Sequence, residues 1–152
     1  MWLILRKLSV FRRLVMLDNR CNFAPQFISR NVMPFIISRT NCDITRNQEL
    51  QLKSRLGKAI SLVPGKSEQY LLLGFEPNSH LWLRGDDSQP IAYIEAAIWG
   101  NEAHLGYDQF TAEVTRIFHE VLGIAPECVY IRYSDIPDWG VAGQNFDRNR
   151  YL

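Results

Sequence analysis

Three cysteines (Cys21, Cys42, Cys128) and three histidines (His80, His104, His119) are the side chains through which metal or thiol chemistry would be done. Their spacing supports neither. A zinc site of the common kind pairs its Cys or His ligands a few residues apart, and a redox dithiol needs Cys-x-x-Cys; here the cysteines stand 21 and 86 residues apart. No metal and no cofactor is expected, and the cysteines read as reduced buried thiols rather than a disulfide framework. Three further residues matter later, although each has an ordinary structural reading. Pro34 stands ahead of an apolar run, where a proline commonly starts a strand. Lys66 follows Pro64-Gly65, where a solvated lysine favours a helix C-terminus. Tyr130 lies in an apolar run and reads as a core aromatic with a satisfied hydroxyl.

The chain has 152 residues, the size of one domain. With 47% hydrophobic and 22% charged residues it has the composition of a globular protein with enough apolar material for a core. A net charge of +1 gives no reason to expect nucleic acid as a partner. The charge is unevenly placed, however. Residues 1–32 hold six basic residues and one acid, a net of +5, whereas residues 33–152 hold 11 basic and 15 acidic residues, a net of −4. The simplest organisation is a basic extension, 1–32, on a mildly acidic domain, 33–152.

In the extension, Arg6-Lys7 and Arg12-Arg13 interrupt every apolar stretch. None approaches the roughly 18 to 20 residues of a membrane span. None offers the roughly 7 to 15 uninterrupted apolar residues of a secretory signal. No membrane partner is expected, and the cytoplasm is the default location. Three origins compete for the segment: upstream sequence with translation starting at Met33, a removed targeting peptide, or a retained tail. The first is favoured, for a reason that Pro34 supplies below.

Residues 34–40 read as a short strand. Thr45-Arg46-Asn47-Gln48 then has the form of a capping box. Leu52, Leu56, Ala59, Ile60 and Val63 follow at helical spacing until Pro64-Gly65 stops them. Residues 70–75 read as a buried strand, and 80–83 as a short strand closed by the turn residues 85–88. Pro90 opens a strand over 91–98. Asp108 is a candidate cap for a helix whose face is Phe110, Val114, Ile117, Phe118, Val121 and Leu122, ended by Gly123 and Pro126. A strand over 128–133 follows, and the Asn-, Asp- and Gly-rich tail reads as irregular.

The pattern is strand–helix–strand, twice. Two such halves fold most simply into one α+β sheet with both helices on one face. Tyr93, Glu95 and Ala97 then point one way and Ala92, Ile94, Ala96 and Ile98 the other. Two helices cannot cover both faces, so the second face is expected to be apolar, uncovered and closed by oligomerisation.

Four stretches in register make this sequence resemble the macrophage migration inhibitory factor family of the tautomerase superfamily. They are Met33-Pro34-Phe35-Ile36-Ile37 with Thr40-Asn41, Gly65-Lys66 with Gln69-Tyr70, Pro90 with its strand and Gly100, and Val129-Tyr130-Ile131 with Tyr133 and Asp135. The resemblance runs from residue 33 to about 146. It begins at Met33-Pro34, and the basic segment before it fits nothing in the family pattern. It implies a homotrimer of duplicated β-α-β protomers around a central channel, with pockets at the subunit interfaces. It implies an isomerase: keto–enol tautomerisation of phenylpyruvate-like α-keto acids, with no cofactor.

The resemblance gives Pro34 the role of catalytic base once everything before it is removed. It gives Lys66 the substrate carboxylate, Tyr130 a place in the neighbouring subunit's pocket, and Tyr70 and Val141 the pocket mouth. The chemistry is sound for such residues. A free N-terminal proline is a secondary amine, and nearby positive charge and burial disfavour its protonated form. Keto–enol exchange needs such a base and a donor near the carbonyl oxygen.

Departures from the family pattern bear on specificity. Arg132 replaces a common asparagine and offers a second cation for the carboxylate. Trp99 replaces an aliphatic residue whose backbone meets the substrate, and Gly143 stands where some members have tryptophan. Ile91 and Ile94 replace a thiol pair, which removes any basis for thiol oxidoreductase activity. The competing reading is a signalling or interaction protein, exported without a signal peptide, with a protein receptor as partner and vestigial or absent catalysis. With residues 1–33 attached, the Pro34 nitrogen is an amide without useful basicity, and that reading gains. Either way the uncovered sheet face predicts association: sedimentation should give a multiple of the protomer mass, and a stable monomer would refute it.

Overall fold

The computed structural model describes residues 33–151. Its elements are β1 (Phe35–Thr40), α1 (Arg46–Ala59), β2 (Leu72–Glu76), β3 (Ala92–Trp99), α2 (Tyr107–Leu122), β4 (Val129–Ile136), β5 (Asp138–Val141), β6 (Gln144–Asp147) and a short α3 (Arg148–Tyr151). The main sheet has the order β2-β1-β3-β4. β1 runs parallel to β2, β3 parallel to β4, and the two halves meet antiparallel at β1 and β3. This is the duplicated β-α-β sheet that the sequence predicts.

The capping box forms as expected. The Thr45 hydroxyl accepts from the Gln48 backbone N–H, and the Gln48 side chain accepts from the Thr45 backbone N–H. Gln48 also donates to the Val121 carbonyl at 3.2 Å, tying α1 to α2. Leu52 and Leu56 of α1 pack with Phe110, Val114, Ile117 and Phe118 of α2 and with Ile36, Ile94 and Ile98 of the sheet, all at 0% exposure. Ile36, Ser38 and Thr40 face this core, as do Ala92, Ile94, Ala96 and Ile98. The alternation puts both helices on one side, since side chains in strands alternate in direction.

Several expectations are corrected. Residues 80–83 form no strand. The only pairing there is a bridge between Leu83 and Asp86 across Arg84-Gly85, and both tip residues have positive φ. Asp108 does not cap α2; Gly106 does, at φ 79°, and Asp108 lies in the first turn, where an acid favours the helix dipole. α1 ends at Ala59 and tightens into a 3₁₀ turn over Ile60–Leu62 before Pro64. A second 3₁₀ turn, Glu68–Tyr70, delays β2 to Leu72. The tail is not irregular: β5 and β6 pair as a hairpin around Ala142-Gly143, both at positive φ, as a two-residue hairpin turn requires.

The helix-free face is more charged than expected. It carries Phe35, Ile37, Tyr93 and Ala97, but also Arg39, which donates to Glu76 at 2.5 Å and to Glu95 at 2.6 Å. Cys42 and Cys128 are free thiols, Cys128 buried and Cys42 half-buried; Cys21 lies outside the described residues, as does all of the basic extension.

Gly106 and Gly123 bracket α2, and both adopt the left-handed conformation. A Cβ on Gly106 would lie 2.1 Å from the Leu62 carbonyl oxygen, whereas one on Gly123 would meet nothing within 4 Å. Gly123→Ala should therefore cost only the left-handed penalty of about 1–2 kcal/mol. Gly106→Ala should cost at least about 3 kcal/mol, because a main-chain clash is added. Urea midpoints of the two variants would separate these, and equal losses would show that the Leu62 contact relaxes freely.

Candidate active site

Pro34 is buried immediately before β1, and its carbonyl accepts from the Leu72 N–H at 3.0 Å. The pairing of Phe35 with Ala97 sets Pro34 level with Ile98, near the end of β3. Lys66 arrives at the same end from the other direction. Its backbone N–H closes a turn on the Val63 carbonyl at 3.1 Å, and its Nζ donates to the Trp99 carbonyl at 2.6 Å. Only 6% of Lys66 is exposed. Burial disfavours its charged form and lowers its pKa to about 8.

Trp99 is itself 1% exposed. It packs with Phe146, with Met33, Ile136, Trp139 and Val141 around them. The C-terminal hairpin thus folds over the end of the sheet and brings Val141 to Trp99 and Met33. The Trp99 indole N–H is buried without a hydrogen-bond partner. Tyr70 ends the 3₁₀ turn two residues before Leu72, whose N–H meets Pro34, so it stands at this end too.

Tyr130 and Arg132 do not join them. Tyr130 pairs with Tyr93 and Arg132 with Glu95, five and three steps along β3 from the level of Ile98. At about 3.3 Å per residue these are roughly 17 and 10 Å away. Both also lie on the helix-free face, where Tyr130 is 48% exposed and the Arg132 side chain 63%. Within one protomer, the residues proposed from the sequence divide into one group around Trp99 and a second, separate pair.

Sequence reasoning missed Trp139 and Phe146 as the wall around Trp99. The signal was there: Trp139 and Val141, then Phe146, alternate on either side of the Ala142-Gly143 turn. It also missed His104. This residue has a positive φ of 54°, contacts Asp135 at 2.8 Å and stacks on Tyr107. Asp135 pairs with Ile98, so His104 lies beside the same end of the sheet. Among the described residues no group of His, Cys, Asp or Glu could hold a metal ion, and no helix is long and apolar enough to cross a membrane.

Comparison with known proteins adds the family. The family model described as macrophage migration inhibitory factor matches residues 33–146. The chain belongs to this family. Its fold is similar to that of Leishmania major MIF2, at 23% identity and TM-score 0.70, over 76% of this chain and 98% of that one. A macrophage migration inhibitory factor homologue from Prochlorococcus marinus gives 22% identity and TM-score 0.64, over 74% and 98%. The F6 fused 4-OT wild-type asymmetric trimer gives 15% and 0.63, over 76% and 97%. These structural likenesses show the α+β fold. No curated protein matches the sequence.

Lys66 yields a prediction of sign. Its unfolded pKa is near the ordinary lysine value of about 10.4, above the folded value of about 8. Between the two the unfolded chain holds a proton that the folded chain has released, so stability rises with pH in that window. Below pH 8 both states are protonated and the cost of burying the cation is constant. Tyr107, pushed up to about 12 by burial, acts oppositely only above pH 10. Relative to Lys66→Met, the wild type should gain on the order of 2 kcal/mol in unfolding free energy between pH 8 and 10. Denaturant titrations giving a pH-independent difference would refute it.

Proposed function

We propose that the protein is a keto–enol tautomerase of phenylpyruvate-like α-keto acids, with the secondary amine of a free Pro34 as its acid–base group. The observation that carries the reading is the buried Lys66 ammonium on the Trp99 carbonyl, at the end of the sheet that Pro34 opens. A cation in this dry position disfavours protonation of a neighbouring amine. It also attracts a carboxylate, and a bound carboxylate would in turn raise the lysine pKa and secure its charge.

The reaction relocates one proton. In the ketonising direction the neutral Pro34 amine takes the enol O–H proton as the carbonyl forms, and the resulting prolinium N–H delivers it to the β-carbon, where the C=C pair forms the new C–H bond and the amine is left neutral again. In the reverse direction the amine removes the β-proton. Lys66 holds the carboxylate and stabilises the negative charge that develops on the oxygen. No oxidant or external group is required.

Tyr130 and Arg132 belong to the proposal only through assembly. Lying far from Pro34 in their own protomer, they would serve the pocket of a neighbouring copy in a homotrimer. The fused 4-OT neighbour is a trimer. Trp82, Leu72 and Tyr130, exposed by 66, 59 and 48%, supply apolar surface for such contacts. If residues 1–33 stay attached, Pro34 is an amide and the receptor-binding reading replaces catalysis on the same fold.

Protein beginning at Pro34 should ketonise enol phenylpyruvate, and protein with residues 1–33 attached should not. Pro34→Gly should lower kcat/KM by roughly a hundredfold or more, the usual share of a positioned acid–base group. Lys66→Ala should raise KM and lower kcat together, because the ammonium is assigned both the carboxylate and the developing oxyanion charge. Unchanged turnover in Pro34→Gly would remove proline from the mechanism.

A further inference from the structure

Arg132 and Glu95 face each other directly across β3 and β4 on the helix-free side. Their closest atoms, Arg132 Nη1 and Glu95 Oε2, are 3.9 Å apart, too far for a hydrogen bond. The other Glu95 oxygen is engaged differently. It accepts from Arg39 Nη1 at 2.6 Å, and Arg39 Nε is fixed on Glu76 at 2.5 Å. Glu95 is therefore anchored to the neighbouring strand and cannot follow Arg132 if that side chain moves. Arg39 has two carboxylates, whereas Arg132 has a loose share of one and keeps most of its side chain exposed.

We propose that Glu95 is a positioning residue that parks the Arg132 guanidinium in the empty protein and yields it to the carboxylate of the substrate. The proposal rests on the tautomerase reading, in which Arg132 serves a neighbouring copy's pocket. A free carboxylate can meet guanidinium through two parallel hydrogen bonds. Glu95 offers one oxygen at a distance and is held back by Arg39. Glu95 thus acts as a built-in competitor that is weaker than the ligand it stands in for. The arrangement selects for carboxylate-bearing ketones over their esters, because only the acid gains by displacing Glu95.

The test uses protein with a free Pro34. Glu95→Gln should lower KM for enol phenylpyruvate about two- to fivefold, the range of an exposed ion pair, with kcat nearly unchanged. Arg132→Asn should raise KM, and Glu95→Gln should add nothing in that background. The methyl ester of the substrate should respond to neither change. Calorimetric Kd values for the keto acid should move in parallel and need no turnover. A wild type that binds the keto acid without turning over enol phenylpyruvate would therefore sink the tautomerase reading while the Kd values still decide this one. Thermal unfolding checks that Glu95→Gln folds; Arg132→Asn leaves the Arg39–Glu95 bond intact and serves alone if it does not. An unchanged or higher KM and Kd in Glu95→Gln, the same shift in the Arg132→Asn background, or no saturable binding by the wild type would overturn the proposal.

Discussion

The buried ammonium of Lys66 on the Trp99 carbonyl is the contact on which the organisation of this end of the molecule turns. A cation that is 6% exposed is costly unless it is hydrogen-bonded and tightly placed. Placement comes from both halves of the chain. The 3₁₀ turn after α1 and the Val63–Lys66 turn carry the lysine to the sheet. The start of α2 presses against that same turn, so closely that Gly106 has no room for a side chain beside the Leu62 carbonyl. Trp139, Val141 and Phe146 of the hairpin pack against Trp99, whose carbonyl is the acceptor. The turn after α1, the start of α2 and the hairpin on Trp99 thus converge on the segment and the residue that hold this one lysine.

The two faces of the sheet are not chemically equivalent, although each runs across both repeated halves. The helix side is apolar from Ile36 to Phe118 apart from the buried hydroxyls of Ser38 and Thr40, and its alternation is regular. The helix-free side mixes aromatic residues with Arg39, Glu76, Glu95 and Arg132. A face built only of apolar side chains would associate with little specificity. Charges held in fixed positions on it restrict which approach of a second chain is tolerated, because an unpaired buried charge costs more than a buried apolar group gains. The sequence pattern of alternating residues identifies this face correctly. It overstates its hydrophobicity, because Arg39 of β1 meets Glu76 of β2 and Glu95 of β3 only after the strands have paired.

What could be read from the sequence follows the range of the interactions involved. Thr45 and Gln48 are three residues apart, and their reciprocal bonds need nothing beyond α1, so the capping box is visible in four letters. The helical faces are visible for the same reason. Asp108 misleads because a capping side chain is a local preference, whereas Gly106 is imposed by the approach of Leu62 from the first half. Residues 80–83 have the composition of a strand but find no strand partner beyond the Leu83–Asp86 bridge among the described residues. The hairpin was hidden by polar residues on its outer side, with Trp139 and Phe146 as its inward positions. In the candidate site, Pro34 and Lys66 do converge on the end of β3, while Tyr130 and Arg132 lie on another part of the sheet. Their separation is a consequence of strand register and cannot be seen in residue types.

Pro34 separates what the fold requires from what the chemistry requires. The fold uses its carbonyl, which accepts from Leu72 and starts the β1–β2 ladder. It also uses the ring, buried on the helix side in step with Ile36. Neither contact involves the nitrogen, and a proline nitrogen in mid-chain has no proton to donate to a ladder. The protein therefore builds the same sheet whether that nitrogen is an amide or an amine. As an amide the nitrogen has no useful basicity; as a free amine it would have one, tuned by its burial and by the Lys66 cation at the same end of the sheet. The scaffold places a cation and a dry wall at the end of β3 in either case, and the proposed tautomerase chemistry turns on one peptide bond, the one before Pro34.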